Sequence, residues 1–189
     1  MPHQLILGRE CGACTICCTT PAIDKPEIQK PPNTPCRHCR GGCAIYETRP
    51  QICRDYHCGW RLLPILPEDW RPDRSGILAE WAPDVPPQFK AQGGLSLILV
   101  GNPLRIVRRP DFMDFVTRSI RSNIFLFLAL PGTQGMHGVR LPLNTKEILD
   151  AVDRSRAQFR AALEDRLKRL QSLGFGPHVM ENSGRDFGA

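Results

Sequence analysis

All nine cysteines of this 189-residue chain lie between Cys11 and Cys58. The same stretch is rich in proline and polar residues, so it holds too few apolar side chains for a large hydrophobic core. Leucine and isoleucine are plentiful only after residue 60, where a core can form. We therefore predict that bound metal, rather than apolar packing, organises residues 1–60.

The spacing of these cysteines is typical of metal ligands. The first group reads Cys-x-x-Cys-x-x-Cys-Cys, and two intervening residues let both sulfurs of a pair face one ion. Three cysteines at this repeat also hold three corners of a [4Fe–4S] cluster in bacterial ferredoxins. The sequence thus favours zinc or a [4Fe–4S] cluster without choosing between them. The first group is Cys11, Cys14, Cys17 and Cys18, and the second is Cys36, Cys39, Cys43, Cys53 and Cys58.

The adjacent residues Cys17 and Cys18 constrain the number of metal atoms. Neighbouring side chains usually diverge, so these two thiols ligate two different metal atoms or one of them is not a ligand. His38 and His57 are alternative ligands, but a lone histidine beside cysteines more often supports a site than ligates it.

Two other uses of the cysteines are less consistent with the sequence. A disulfide scaffold needs an oxidising compartment, and an odd number of cysteines leaves one unpaired. No signal peptide is visible, so we expect a cytoplasmic protein with reduced thiols. A thiol–disulfide oxidoreductase places Cys-x-x-Cys between a strand and a helix, and neither Cys11 nor Cys36 has that context.

Charge and hydropathy argue against nucleic-acid and membrane partners. The formal net charge is +6, but basic residues alternate with acids, and eight thiolates binding two Zn²⁺ would reduce that charge to about +2. The longest apolar run, Ile124–Leu130, is far shorter than the roughly 20 residues that span a bilayer. The metal ion and a protein are therefore the expected partners.

The two cysteine groups resemble the YkgJ-type cysteine-cluster family, which is described as a zinc- or iron-chelating domain. The matching segments are Cys11-Gly-Ala-Cys14-Thr-Ile-Cys17-Cys18 and Cys43-Ala-Ile-Tyr46, followed by Arg49-Pro50, Cys53-Arg54 and Cys58. The resemblance covers about residues 11 to 58. It implies eight ligands, which are Cys11, Cys14, Cys17, Cys18, Cys36, Cys43, Cys53 and Cys58.

Cys39 departs from the family pattern, in which an apolar residue is common at this position. It is either a spare thiol or a replacement ligand that changes the metal preference. Relatives of the motif occur in lysine N-methylases that carry an iron–sulfur centre, so the resemblance also points to redox or methyl-transfer chemistry.

Two arginines are candidates to support the metal centre. Guanidinium donors near sulfur stabilise an anionic cluster and raise its reduction potential. Arg54 directly follows the predicted ligand Cys53, and Arg49 lies four residues before Cys53. The alternative is that both are surface residues paired with Glu47 and Asp55.

For the fold we predict the α+β class: a loop-dominated cysteine module packed on a small, mostly antiparallel sheet with two helices. The predicted divisions are 1–60 for the module, 61–176 for the α+β remainder and 177–189 for a flexible tail. The segment Pro21–Pro35 is predicted to be a loop without an element of its own. Trp60 and Trp70 are expected to pack against the core. Strands are expected at Ile77–Trp81, Leu95–Val100, Ile124–Leu130 and Val139–Leu141.

Helical periodicity predicts one helix after Asp111, which could cap it, and one long helix that starts with Asn144 and Glu147 as a capping box. The apolar stripe of the long helix, from Ile148 to Leu170, serves the core or a homodimer interface.

Two functions follow from these expectations. One is a metal-chelating protein whose zinc or iron–sulfur centre supports redox or methyl-transfer chemistry. The alternative is a protein-interaction module whose fold is held together by zinc and which has no catalytic role. No set of acid, base and nucleophile stands out beyond the cysteines, so the sequence does not decide whether the chain is an enzyme.

Overall fold

A computed structural model describes residues 4–91 and 93–177, and it has the α+β class predicted from the sequence. Residues 178–189, most of the predicted tail, lie outside the described residues. The strands are β1 (Ile23–Lys25), β2 (Ile28–Lys30), β3 (Ile77–Ala82), β4 (Gly94–Leu99), β5 (Phe125–Leu130), β6 (Met136–His137), β7 (Val139–Pro142) and β8 (Gly176–Pro177). The α-helices are α1 (Ile16–Thr19), α2 (Gln51–Asp55), α3 (Gly59–Leu62), α4 (Pro72–Ser75), α5 (Pro103–Val107), α6 (Pro110–Arg121), α7 (Lys146–Arg154) and α8 (Arg156–Ser172).

The main sheet has four strands in the order β3-β4-β5-β7. Its two outer pairs are antiparallel, whereas β4 and β5 are parallel, so the sheet is mixed. Parallel neighbours need a crossover connection, and α5 and α6 supply it between β4 and β5. All four strands predicted for this part of the chain are confirmed to within one residue at either end.

One face of the sheet forms the main hydrophobic core with α6, α7 and α8. Trp60 and Trp70 are buried in this core, as predicted. The Trp70 ring lies 4.8 Å from the Phe115 ring, measured between centroids. The apolar stripe of the carboxyl-terminal region is used in the same core, through Ile148, Phe159, Leu163, Leu167 and Leu170.

The start of α6 differs from the prediction. Asp111 does not cap the helix, because Pro110 already occupies its first position with a backbone angle suited to a helix. The Asp111 carboxylate instead accepts a 2.8 Å hydrogen bond from Nε1 of Trp70 and pairs with Arg109. It therefore fixes the buried tryptophan rather than the helix end.

The long carboxyl-terminal helix predicted from the sequence is two helices, α7 and α8, so the prediction of only two helices was wrong. The chain is extended at Ser155, whose φ is −166°, and the Ser155 side chain accepts a 3.2 Å bond from the backbone N–H of Gln158. A serine in this position satisfies a free N–H at the start of a new helix. The break turns α8 onto the sheet while the apolar stripe remains buried.

The predicted capping box at Asn144 is also absent. The Asn144 side chain accepts a 2.7 Å bond from the backbone N–H of Leu126 and donates a 3.0 Å bond to the carbonyl of Ile124. It thus ties the chain after β7 to β5, and Thr145 takes the position before α7 without a side-chain bond to a backbone N–H of the helix.

The segment predicted to be a plain loop contains a short antiparallel hairpin, β1 and β2. The register pairs Ile23 with Lys30 and Lys25 with Ile28, leaving Pro26 and Glu27 in the turn. Proline suits such a turn because its ring fixes the required φ. Ile28 is 4% exposed, so the hairpin is anchored by one buried apolar side chain.

The cysteine module packs against the second face of the main sheet. Gly59 allows close approach, since a Cβ built on it would lie 3.0 Å from the carbonyl oxygen of Ala79 in β3. Leu78, on the same strand, is fully buried beneath the module. Neither buried hydrophobic cluster of the described chain includes a buried residue before Trp60. Across the described ranges, no helix is both long enough and apolar enough to span a bilayer.

Candidate metal centre

Local backbone turns place the first cysteine group. The N–H of Cys14 donates a 2.9 Å bond to the carbonyl of Cys11, and Gly12 between them has a φ of +52° that favours glycine. Cys17 and Cys18 then follow on the single turn of α1. The Cys-x-x-Cys segment is thus a tight turn that leads directly into a helix turn.

The second group is tied to the first by the backbone. The N–H of Cys36 donates a 2.9 Å bond to the carbonyl of Cys18. The N–H of Cys39 donates a bond of the same length to the carbonyl of Cys36. Cys53 lies on α2, and Cys58 directly precedes α3. The fold therefore brings cysteines from both ends of the module into one region.

Four cysteines line one small cavity against the sheet. Its volume is about 10 Å³, and its wall also includes Leu78 and Arg71. We call these four residues set A: Cys11, Cys14, Cys17 and Cys58.

A larger cavity of about 150 Å³ adjoins set A. Three members of set A, all but Cys58, also contribute to its wall. The remaining cysteines that line it are called set B: Cys18, Cys36, Cys43 and Cys53.

Cys17 and Cys18 lie at the boundary between the two sets. Their hydrogen bond and burial raise the pKa of Cys17, whereas the same bond lowers the pKa of Cys18. Cys17 interacts further with Cys11 and Cys14 of set A, and Cys18 with Cys39. The two adjacent thiols therefore contact each other as well as different neighbours, and whether they ligate two metal atoms stays a prediction.

Burial and neighbouring thiols raise the pKa of several members of the sets. Burial is the main cause for Cys14 and Cys58, and Cys11 adds repulsion in both cases. For Cys53 the main cause is again burial, followed by Cys36 and Cys43. These thiols interact closely enough that a cation among them would relieve the repulsion of their ionised forms.

Two arginines lie beside set A. Nη1 of Arg61 is 3.8 Å from Sγ of Cys11. Arg71 lines the small cavity and forms two 2.7 Å bonds to Asp73, which is the main reason that its pKa is raised, with contributions from Cys14 and Cys11.

Lys30 lies beside set B and was not predicted from the sequence. It is 4% exposed, and its ammonium donates to the backbone carbonyls of Thr19, at 2.8 Å, and of Pro21. Burial lowers its pKa, and Cys36 and Cys18 oppose that effect. No sequence signal marks it, since a lysine in a polar segment is usually exposed.

The predicted supporting arginines differ in position. Arg49 lines the larger cavity, helps to lower the pKa of Cys18 and stacks 3.9 Å from the centre of the Tyr46 ring. Arg54 is exposed, and no contact within the described ranges joins its side chain to a cysteine.

The alternative ligands lie at the edge of the site. His38 and His57 both line the larger cavity, and burial, followed by Arg61, lowers the pKa of His57. Cys39 lines neither cavity, although its thiol is hydrogen-bonded to that of Cys18.

All nine cysteines are present as free, partly exposed thiols. Within residues 4–91 and 93–177, no three His, Cys, Asp or Glu side chains are arranged so that they could hold a metal ion together. Comparisons with family models, with curated proteins and with solved structures gave no match.

Proposed function

We propose that this chain is a reduced, cytoplasmic metal-binding protein with two four-cysteine sites, set A and set B. The proposal rests chiefly on the small cavity of set A, which is lined by four thiols from two separate segments of the chain. Metal binding requires these side chains to turn toward a common point on the backbone described above. A cysteine needs only rotation about one side-chain bond to do so.

The dimensions of the small cavity favour a single ion in set A. Its volume of about 10 Å³ is near the lower limit for holding one water molecule. Four thiolates from Cys-x-x-Cys-type segments form the tetrahedral donor set that Zn²⁺ prefers. Zinc is therefore our first choice for this site.

Basic side chains beside the two sets offset much of the charge of such sites. Four thiolates and one Zn²⁺ leave two uncompensated negative charges. Lys30 and Arg49 lie beside set B, so a zinc site there would be close to neutral. Arg61 lies beside set A, whereas the charge of Arg71 is already balanced by Asp73, so a zinc site there would keep about one negative charge.

The module also needs a source of stability other than apolar packing. Among the described residues before Trp60, the buried apolar side chains are those of Ile28 and Pro32. Structural zinc sites contribute roughly 10–16 kcal/mol of apparent binding free energy, which becomes folding free energy when the unfolded chain has no site. Two such sites would hold residues 11–58 on the sheet.

An iron–sulfur cluster is the second candidate, and the larger cavity favours it. Seven cysteines line that cavity, more than one mononuclear ion requires. A cluster there would supply one-electron redox chemistry, in keeping with the resemblance to the YkgJ-type family. Membership of that family, and methyl transfer with it, remain predictions.

Metal analysis of protein purified without oxygen tests the proposal and separates the two metals. We expect about two zinc atoms per chain and no absorption near 400 nm. Brown protein with about four irons per chain would favour the cluster instead. Folded protein that contains neither metal would refute metal binding.

A further inference from the structure

A third cavity lies between the cysteine module and the sheet, and no cysteine lines it. Its volume is about 340 Å³, within the range of about 300–1,000 Å³ that is usual for small-molecule sites. Ile98 and Ala129 of the sheet form an apolar part of the wall. Residues 20–22 and 32–33 of the module contribute to the opposite side.

Glu80 places a carboxylate in this wall. Its Oε1 accepts a 2.5 Å hydrogen bond from the hydroxyl of Tyr56, and burial raises its pKa. No basic side chain in the described part of the chain pairs with Glu80. A partly buried carboxylate without a cation retains an electrostatic cost that a positive ligand would offset.

Ser96 adds a second polar group next to Glu80. The two residues are directly paired across β3 and β4, so their side chains point to the same face of the sheet. Ser96 is only 7% exposed and lines the cavity, yet its hydroxyl has no hydrogen-bond partner among the residues that the structure describes. Buried hydroxyls are nearly always bonded, so this one calls for a partner in the cavity.

We propose that this cavity binds a small molecule that carries a protonated amine. The ammonium group donates hydrogen bonds to Glu80 and Ser96, while its methylene groups lie against Ile98 and Ala129. An ammonium has three donors and no acceptor, which suits a carboxylate and a hydroxyl on one wall. No cysteine lines this cavity, so the proposed ligand contacts neither set A nor set B.

The arginine beside the cavity is already paired. Arg140 lines the cavity, but its guanidinium pairs with Asp84 and lies 4.3 Å from the centre of the Phe127 ring. An anionic ligand would therefore compete with Asp84 for this arginine. Of the carboxylate and guanidinium groups that line the cavity in the described residues, Glu80 is the one without an ion-pair partner.

Titration of the purified full chain with n-butylammonium chloride, followed by amide chemical shifts in NMR, tests the proposal. We expect saturable shifts centred on the amides of Ser96 and Ala129, and no such shifts with 1-butanol, which has the same chain length without the charge. Shifts that do not saturate, that lie elsewhere, or that 1-butanol reproduces would overturn it. This titration decides the matter without any variant.

Variants then test the contribution of the carboxylate. Glu80→Gln keeps the size and an acceptor for Tyr56 but removes the charge, and we expect n-butylammonium to bind at least ~10-fold more weakly. The matched control is Glu27→Gln, which makes the same change at an exposed turn position and should bind as the unmodified chain does. Equal affinity in the Glu80 and Glu27 variants would refute the role of Glu80.

Discussion

Replacing Cys58 with serine tests the division of the thiols into two sets. Cys58 lines the small cavity but not the larger one, so the change should weaken set A and leave set B intact. The residue directly precedes α3, where serine is a favourable helix cap, so the variant should fold.

The size of the effect follows from the number of ligands. A structural zinc site is worth roughly 10–16 kcal/mol, and an even division over four thiolates gives roughly 3 kcal/mol for one of them. Each 1.4 kcal/mol is a factor of ten in affinity, so zinc binding at set A should weaken by about 100-fold.

The assay is a competition titration of metal-free, reduced protein with a chromophoric zinc chelator. The unmodified chain should hold about two tightly bound zincs, and Cys58→Ser should hold one tightly and one weakly. Cys39→Ser is the control, because Cys39 lines neither cavity, and it should keep both. Equal weakening of both sites by Cys58→Ser, or the loss of one zinc in the control, would refute the two sets.

Three further changes test the surrounding structure by urea unfolding. Ser155→Ala should lower the free energy of unfolding by about 1 kcal/mol, because it removes the cap of α8. The control Ser122→Ala, at an exposed site, should leave that free energy unchanged. Equal free energies of unfolding in the two variants would refute the contribution of the cap. Burial raises the pKa of Glu80, so the folded state binds the proton of this carboxyl more tightly than the unfolded chain does. The free energy of unfolding should therefore fall as pH rises from about 4.5 through the folded pKa. Glu80→Gln should remove that part of the fall, and an unchanged pH profile in the variant would contradict the prediction. Arg9→Lys should lower the free energy of unfolding by about 3 kcal/mol or more, because the guanidinium donates to the backbone carbonyls of Trp60, Leu63 and Leu66 and one ammonium cannot reach all three. A smaller loss would show that these carbonyls find other donors.

Hydrophobic periodicity was sufficient to predict the main sheet. The run Phe125–Leu130 is apolar at every position, because the main core covers one face of the strand and a second cluster, with Ala82 and Val85, covers Phe125 on the other face. The break at Ser155 was missed because the apolar stripe continues across it, so spacing alone does not separate α7 from α8. Asn144 was misassigned because its side chain bonds to a strand 18 residues away, which a local capping pattern does not contain.

The candidate site was predicted only as far as it depends on residue type and spacing. Cysteine identity and spacing predict the ligands, and the adjacency of Cys17 and Cys18 predicts either two metal atoms or one thiol that is not a ligand; both stay predictions. The positions of the supporting cations depend on tertiary packing. Lys30 is held by backbone carbonyls from other segments of the module. Arg54 is exposed and has no contact with a cysteine in the described residues, although its neighbour is a predicted ligand. The cavity with Glu80 and Ser96 was missed because strand pairing, not sequence proximity, creates it.

X-ray absorption at the metal edge of anaerobically purified full-length protein tests thiolate coordination most directly. Our account predicts zinc surrounded by four sulfur atoms at about 2.3 Å, with no nitrogen or oxygen ligands. A first coordination sphere of nitrogen and oxygen, or protein that is folded without any bound metal, would contradict it.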